Sequence, residues 1–380
     1  MTKRRARLTA ACLFLIFSAI AASAERAPRN VIVLIGDGMG FAQMTLARLS
    51  LGTPDAALAM DSMPVAAFVK THSAGPGRGR GVITDSAAAA TALSAGVKTN
   101  NGMIAVLPDG RPVRTILEAA GASGRATGLV TTVTISHATP AGFAAHVGSR
   151  GDEAEIASQL IKQRVDVLLG GGEAYFLPRS ASGSKRKDDR DLLAEAKGSG
   201  YVVARSGQEL KESRGCRVLG LFAAGALDPT RAGPSLAEMA SAALERLTSG
   251  RKGFFLMVEG GQIDWASHAN DAAGTVRETL EFDEAVRAAL EFARKRGDTL
   301  VVVTADHETG GLAIVAPASG SSAEFAAAWG TKSHSATIVP LLAEGPGARL
   351  FGGVMDNTEV PRRIARLWRL RLDDPPPAAP

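Results

Sequence analysis

Continuous apolar runs recur along the chain, each closed by glycine or a polar pair, with helical periodicity filling the intervals. Residues 30–35 (NVIVLI) run into Gly36-Asp37-Gly38 and predict a buried strand followed by a turn. Residues 65–72, 127–133, 165–169, 217–223, 253–258 and 299–304 predict further strands. Residues 41–51, 86–93, 113–120, 152–163, 235–247 and 273–294 predict helices. This alternation predicts an α/β fold: a central, mostly parallel sheet covered on both faces, a three-layer α/β/α sandwich. The Gly/Arg-rich 75–81 reads as a loop, and the polar 178–200 as a surface insertion. The Ala/Ser/Gly-rich 313–332 reads as a loop or a reduced accessory element.

The two ends read differently. In residues 1–24, Lys3, Arg4, Arg5 and Arg7 precede the apolar run 10–20, and Ala22-Ser23-Ala24 follows it. That is the layout of a cleaved signal peptide, and the run is short for a membrane anchor. We therefore expect an exported protein, periplasmic or secreted, with one catalytic domain over 25–372 and a Pro-rich tail over 373–380. The leader carries four of the chain's 43 basic residues and no acidic one. The remainder balances 38 acidic residues to within one charge, so no affinity for nucleic acid or an anionic membrane is expected. Removing the leader also leaves a single cysteine, Cys216, so no internal disulfide is expected.

Polar residues of catalytic type collect at the ends of the predicted strands. Asp37 follows 30–35, Glu259 ends FFLMVE, and Asp306-His307 follow TLVVVT. In sheets of this kind the ligand site lies beyond the carboxyl ends of the strands, so these residues converge on one edge. Asp264 and His268 are spaced i, i+4 and share a face if the backbone is helical. Asp306 and His307 can reach a second cation from one tight turn, and His334 stands alone in a polar loop. Imidazole with carboxylate suits zinc. Asp37, Thr139 and Glu259 offer only oxygen, which suits magnesium. Ser86 opens an alanine-rich helix, where free N–H groups favour a phosphate; a plain N-cap serine is the alternative. Arg150 can fork two phosphate oxygens. His137 is expected behind the metal ligands, holding a metal water, and Trp265 as a pocket wall.

With these residues in place, VIVLIGDGMG, TDSAAAATALSAGVKTNNGMI, SHATPAGFAAHVGSR, VDVLLGGG, FFLMVEGGQIDWASHANDA and TADHETGG resemble, in order, the blocks of the alkaline phosphatase family. The resemblance runs from about residue 31 to 360. It implies hydrolysis of small phosphate monoesters through a phosphoserine on Ser86, favoured at alkaline pH. It implies two Zn2+ and one Mg2+. Asp264, His268 and His334 would hold the first zinc, and Asp37, Asp306 and His307 the second. Asp37, Thr139 and Glu259 would hold magnesium, with Arg150 as the phosphate clamp. The positions of His137 and Trp265 vary within the family. The short stretch between Gly311 and His334 implies a small or absent accessory (crown) insertion, which weakens the usual homodimer.

Two rivals remain at this level. A phosphodiesterase of the same superfamily would share the metals, but Arg150 favours a dianionic monoester. A non-catalytic zinc- or phosphate-binding protein would not need the full set of ligands. A sulfatase is excluded, because Ser86 is followed by a run of alanines instead of a C/S-x-P-x-R motif.

Overall fold

A computed structural model describes residues 27–372 apart from 54, 76–80, 216, 231–232, 318 and 320–323. The expected leader, the Pro-rich tail, most of the 75–81 loop and Cys216 lie outside the described residues.

Among the described residues fourteen strands follow in chain order: β1 Asn30–Gly36, β2 Val65–Lys70, β3 Ala126–Thr134, β4 Val167–Gly171, β5 Tyr201–Ala204, β6 Arg217–Leu221, β7 Phe254–Gly260, β8 Thr299–Thr304, β9 Glu308–Thr309, β10 Leu312–Val315, β11 Ala326–Trp329, β12 His334–Ser335, β13 Val339–Glu344 and β14 Gly353–Asp356. Ten of them form one sheet in the order β14-β2-β13-β8-β1-β7-β3-β4-β6-β5. Only β13 opposes the rest; every other pairing in this sheet is parallel. The apolar runs explain the centre. Every residue of β1, β7 and β8 is buried, as expected of parallel strands covered on both faces.

Two groups of helices supply the covering layers. Helix Ala272–Arg296 packs on Leu236–Leu247, Phe41–Leu49 and Gln262–His268. Helix Ser86–Ala95 packs on Ala138–Ala144 and Glu359–Trp368. All ten residues of Ser86–Ala95 are buried, so its small side chains serve close packing instead of an amphipathic face. Gly142 shows how close: a Cβ there would sit 2.7 Å from Ala90 Cβ, and Ser94 Oγ donates to the Gly142 carbonyl at 2.5 Å. The expected α/β sandwich with a mostly parallel sheet is what the chain adopts.

Several local expectations change. The helix read as 113–120 starts at Ile116, because Thr115 caps it and Glu118 bonds back to the Thr115 amide. The stretch 178–200 is not merely a surface insertion. It contains helix Leu192–Gly198, which buries Leu192, Leu193 and Ala196, and it leads directly into β5. Arg186 is buried there, with its charge met by Asp188 and by the carbonyls of Ala154 and Tyr175. Residues 313–332 include most of a hairpin, β10 against β11. His334 lies in the two-residue β12, paired with β9, and not in a loop.

Candidate metal centre and active site

The sheet register lines up the ligand-bearing ends. Ile35 of β1 pairs with Glu259 of β7 and with Thr304 of β8, so Asp37 and Asp306 both emerge two residues further on. β9 follows at once, with His307 just before it. Because β13 runs backwards, its beginning lies at this same edge, and the preceding β12 delivers His334 there.

Asp264 and His268 lie one turn apart on helix Gln262–His268, with Asp264 Oδ2 3.3 Å from His268 Nε2. His334 Nε2 is 3.5 Å from Asp264 Oδ1 and 3.1 Å from His268 Nε2. The other nitrogens identify the tautomers. His268 Nδ1 faces the Lys332 carbonyl at 2.7 Å, and His334 Nδ1 faces the Thr84 carbonyl at 2.8 Å. Each Nδ1 donates there, so both Nε2 atoms point at one spot beside the Asp264 carboxylate. Metal-ligating histidines are oriented in this way.

A second group lies alongside. His307 Nε2 is 3.2 Å from Asp306 Oδ2, 3.5 Å from Asp37 Oδ1 and 3.3 Å from Ser86 Oγ. Its Nδ1 is 3.3 Å from Thr309 Oγ1, which in turn donates to Asp264 Oδ1 at 2.5 Å. The hydroxyl therefore accepts from His307, leaving Nε2 as a free acceptor. A third group brings Asp37, Glu259 and His137 ligand atoms within 4.8 Å of one another. His137 thus sits directly beside Asp37 and Glu259.

The chemistry of this donor set fits cations. Asp37 Oδ1 and Oδ2, Asp306 Oδ2, Glu259 Oε1, Thr139 Oγ1 and His137 Nδ1 are all buried without a hydrogen-bond partner. Orphaned buried polar atoms are costly, and these share one small volume. Burial, and after it the facing carboxylates of Asp306, Asp264 and Glu259, pushes Asp37 well above the usual range. Burial also lifts Glu259 to about 7 and Asp306 to about 6. Burial drives His307 and His137 down to about 4, which keeps both rings neutral. His268, more exposed, is raised to about 9 by its hydrogen bond to Asp264.

Ser86 is buried as the first residue of its helix, but it is not the N-cap. Asp85 takes that role, accepting from the Ala88 amide at 3.0 Å. Asp85 was not foreseen as a site residue. Its other oxygen accepts from Arg150 Nη1 at 3.1 Å, and Arg150 Nη2 lies 3.1 Å from His137 Nε2. These contacts aim the guanidinium at a cavity of about 520 Å3. Ser86, His137, Arg150, Asp264, Trp265, His268 and His334 line it. Trp265 is 45% exposed and forms a wall of the cavity, set edge-on to His137. The two other described histidines are paired elsewhere, His72 with Asp356 and His146 with Glu118. A groove of about 530 Å3 at the opposite, amino end of the strands holds none of these ligand clusters.

Residues 28–325 match the family model described as alkaline phosphatase. Alkaline phosphatase 4 of Bacillus subtilis is 44% identical, a match that covers 75% of this chain and 62% of that relative's length. Alkaline phosphatase 3 of the same organism is 35% identical, covering 91% of this chain and 90% of the relative. The alkaline phosphatase of the Antarctic bacterium TAB5 superposes with a TM-score of 0.82 at 35% identity, over 90% of this chain and 99% of its own. A histidine-to-aspartate variant of the TAB5 enzyme has magnesium bound in its M3 site. The chain belongs to the alkaline phosphatase family and is a metal-binding phosphatase.

Proposed function

We propose that this enzyme hydrolyses phosphate monoesters by two in-line displacements through a phosphoserine on Ser86, at a site for two Zn2+ and one Mg2+, fastest at alkaline pH. The observation that carries the reading is the convergence of Ser86 Oγ, His307 Nε2, Asp37 Oδ1 and Asp306 Oδ2. A base for Ser86 would need His307 turned to the serine alone. Here the same nitrogen also faces Asp37 Oδ1 and Asp306 Oδ2, two oxygens without a hydrogen-bond partner, which is a ligand set. Asp264, His268 and His334 would hold one zinc, and Asp37, Asp306 and His307 the other. Asp37, Thr139 and Glu259 would hold magnesium. His137 lies within reach of that third position, beside Asp37 and Glu259. When bound, the cations supply charge neutralisation and Lewis-acid activation.

The chain's own residues do the rest. Arg150, braced by Asp85, forks two non-bridging oxygens of the ester and fixes phosphorus in front of Ser86. The free N–H groups at the start of helix Ser86–Ala95 add positive potential behind it. The Ser86 Oγ–P bond forms as the P–O bond to the alcohol breaks. Water then attacks phosphorus from the vacated side, the Oγ–P bond breaks, and inorganic phosphate leaves. Residues 25–372 are read as one catalytic domain, exported by the leader at 1–24. Among the described residues no helix is long and apolar enough to cross a membrane. Hydrolysis of p-nitrophenyl phosphate, its bis-ester and its sulfate analogue, at neutral and alkaline pH with and without Zn2+ and Mg2+, tests the reading. A metal-dependent monoester preference that rises with pH is expected. A preference for the bis-ester would sink it.

A further inference from the structure

Glu308 is buried beside the metal centre, yet its carboxylate points away from it. Along β9 the side chains alternate. Thr309 bonds Asp264, while Glu308 turns outward to meet four donors. Its Oε1 accepts from Gln43 Nε2 at 2.9 Å and from the Leu312 amide at 3.2 Å. Its Oε2 accepts from the Gly311 amide at 3.2 Å and from Ser335 Oγ. All four donors are neutral. They come from three separate pieces of chain: the helix after the Asp37 loop, the turn after β9, and β12.

These pieces carry the ligands. Gln43 also donates to the Thr309 carbonyl at 2.7 Å and accepts from the Gly40 amide at 3.0 Å, three residues from Asp37. The fit is tight, since a Cβ on Gly40 would lie 2.5 Å from Glu308 Cγ. Ser335 stands directly opposite Glu308 in the ladder, and its neighbour His334 stands opposite Thr309. A two-residue ladder holds little on its own. The spacing between His334 and Asp264 therefore depends on side chains that bind β12 to β9.

We infer that Glu308 is a positioning residue for the first zinc: its carboxylate, through Ser335, sets the register at which His334 meets Asp264 and His268. The inference rests on the proposed metal reading. Partners of this kind tune affinity by about 10- to 100-fold without touching the metal.

The test is zinc titration of the metal-stripped enzyme against a competing chromophoric chelator, on wild type, Glu308→Gln and Ser335→Ala. One zinc-binding step is expected to weaken about 10- to 100-fold in Glu308→Gln, and less in Ser335→Ala, with the other step unchanged. Excess zinc should restore kcat in both variants while KM stays at the wild-type value. Zinc affinities within about twofold of wild type in both variants would overturn the inference while leaving the metal reading intact. Failure of wild type itself to bind zinc would overturn both. Ser335 lies half-exposed in β12, so Ser335→Ala decides the matter alone if Glu308→Gln does not fold.

Discussion

The Ser86 hydroxyl is buried 3.3 Å from His307 Nε2, and whether it is a nucleophile or a helix-start serine depends on what surrounds that contact. The nucleophile reading makes a separable prediction. Ser86→Ala should lower kcat by on the order of 10^3-fold or more while leaving metal content unchanged. Near-normal turnover, with no phosphoprotein in acid-quenched mass spectra of wild type, would remove the serine from the mechanism. Arg150→Ala should weaken inhibition by inorganic phosphate by about 10- to 100-fold, since a charge-assisted pair of hydrogen bonds is lost. Phosphate inhibition constants measure this, and unchanged values would place Arg150 outside the site. Asp37, Glu259, Asp306 and His307 stood out as candidates because each lies at the end of an apolar run, and Asp264 with His268 because of their i, i+4 spacing. Asp85, Thr309 and Gln43 did not. Each acts on a residue far away in sequence, and no spacing records that.

Among the secondary-structure elements, the contact between helices Ser86–Ala95 and Ala138–Ala144 sets the distance from Ser86 to His137 and Thr139. Gly142→Ala would force its Cβ against Ala90. Overpacking of this kind costs about 1–3 kcal/mol. Differential scanning calorimetry should show Tm several degrees lower, and an unchanged Tm would mean that the helices part freely. A second contact anchors the segment leading to Arg150. His146 Nε2 lies 2.8 Å from Glu118 Oε1, and Nδ1 lies 2.9 Å from the Ala105 carbonyl. Burial opposes the charge on His146, but the hydrogen bond to Glu118, the charge on Glu118 and the Ala105 carbonyl together outweigh it and raise the pKa above the ordinary value. A raised histidine stabilises the fold fully below its unfolded pKa of about 6.5, and that contribution fades as pH climbs through the folded value. The loss of Tm caused by His146→Gln should thus be largest near about pH 6 and shrink toward about pH 9. A loss that grows with pH would contradict the sign. Long apolar strands and long helices were readable from sequence. The elements that went unread are short or contain proline: β5 and β14 have four residues each, β13 contains Pro340, and helix Glu359–Trp368 contains Pro361. Pro361 lies in the first turn, where its missing N–H costs nothing, yet in sequence it signals a break.

For the molecule as a whole, four buried carboxylates share one sheet edge, at Asp37, Glu259, Asp264 and Asp306. Chelation should therefore destabilise the entire fold and not only abolish turnover. We expect Tm to fall by about 5 °C or more on treatment with EDTA and to recover when Zn2+ and Mg2+ are added. An equal Tm with and without metal would mean that the cluster is balanced by protons alone. The overall architecture was legible because alternation of strand and helix permits few arrangements. The reversed direction of β13 was not, because nothing in its composition distinguishes it from a parallel neighbour.

That reversal has a further consequence. The chain leaves the catalytic edge after Thr309 and returns to it at His334, and the two-residue ladder of β9 with β12 closes the excursion at its base. Both ends are fixed by the chemistry, with Gly311 and Leu312 bonded to Glu308 and Lys332 to His268, while the β10–β11 pair between them supplies none of the proposed ligands. Doubling the length of such a closed loop costs only about 0.6 kcal/mol. The fold therefore carries a port at which new sequence, up to a whole grafted module beside the mouth of the cavity, can be added without relocating a single ligand. In evolutionary terms, substrate range and assembly can change there while the reaction stays the same.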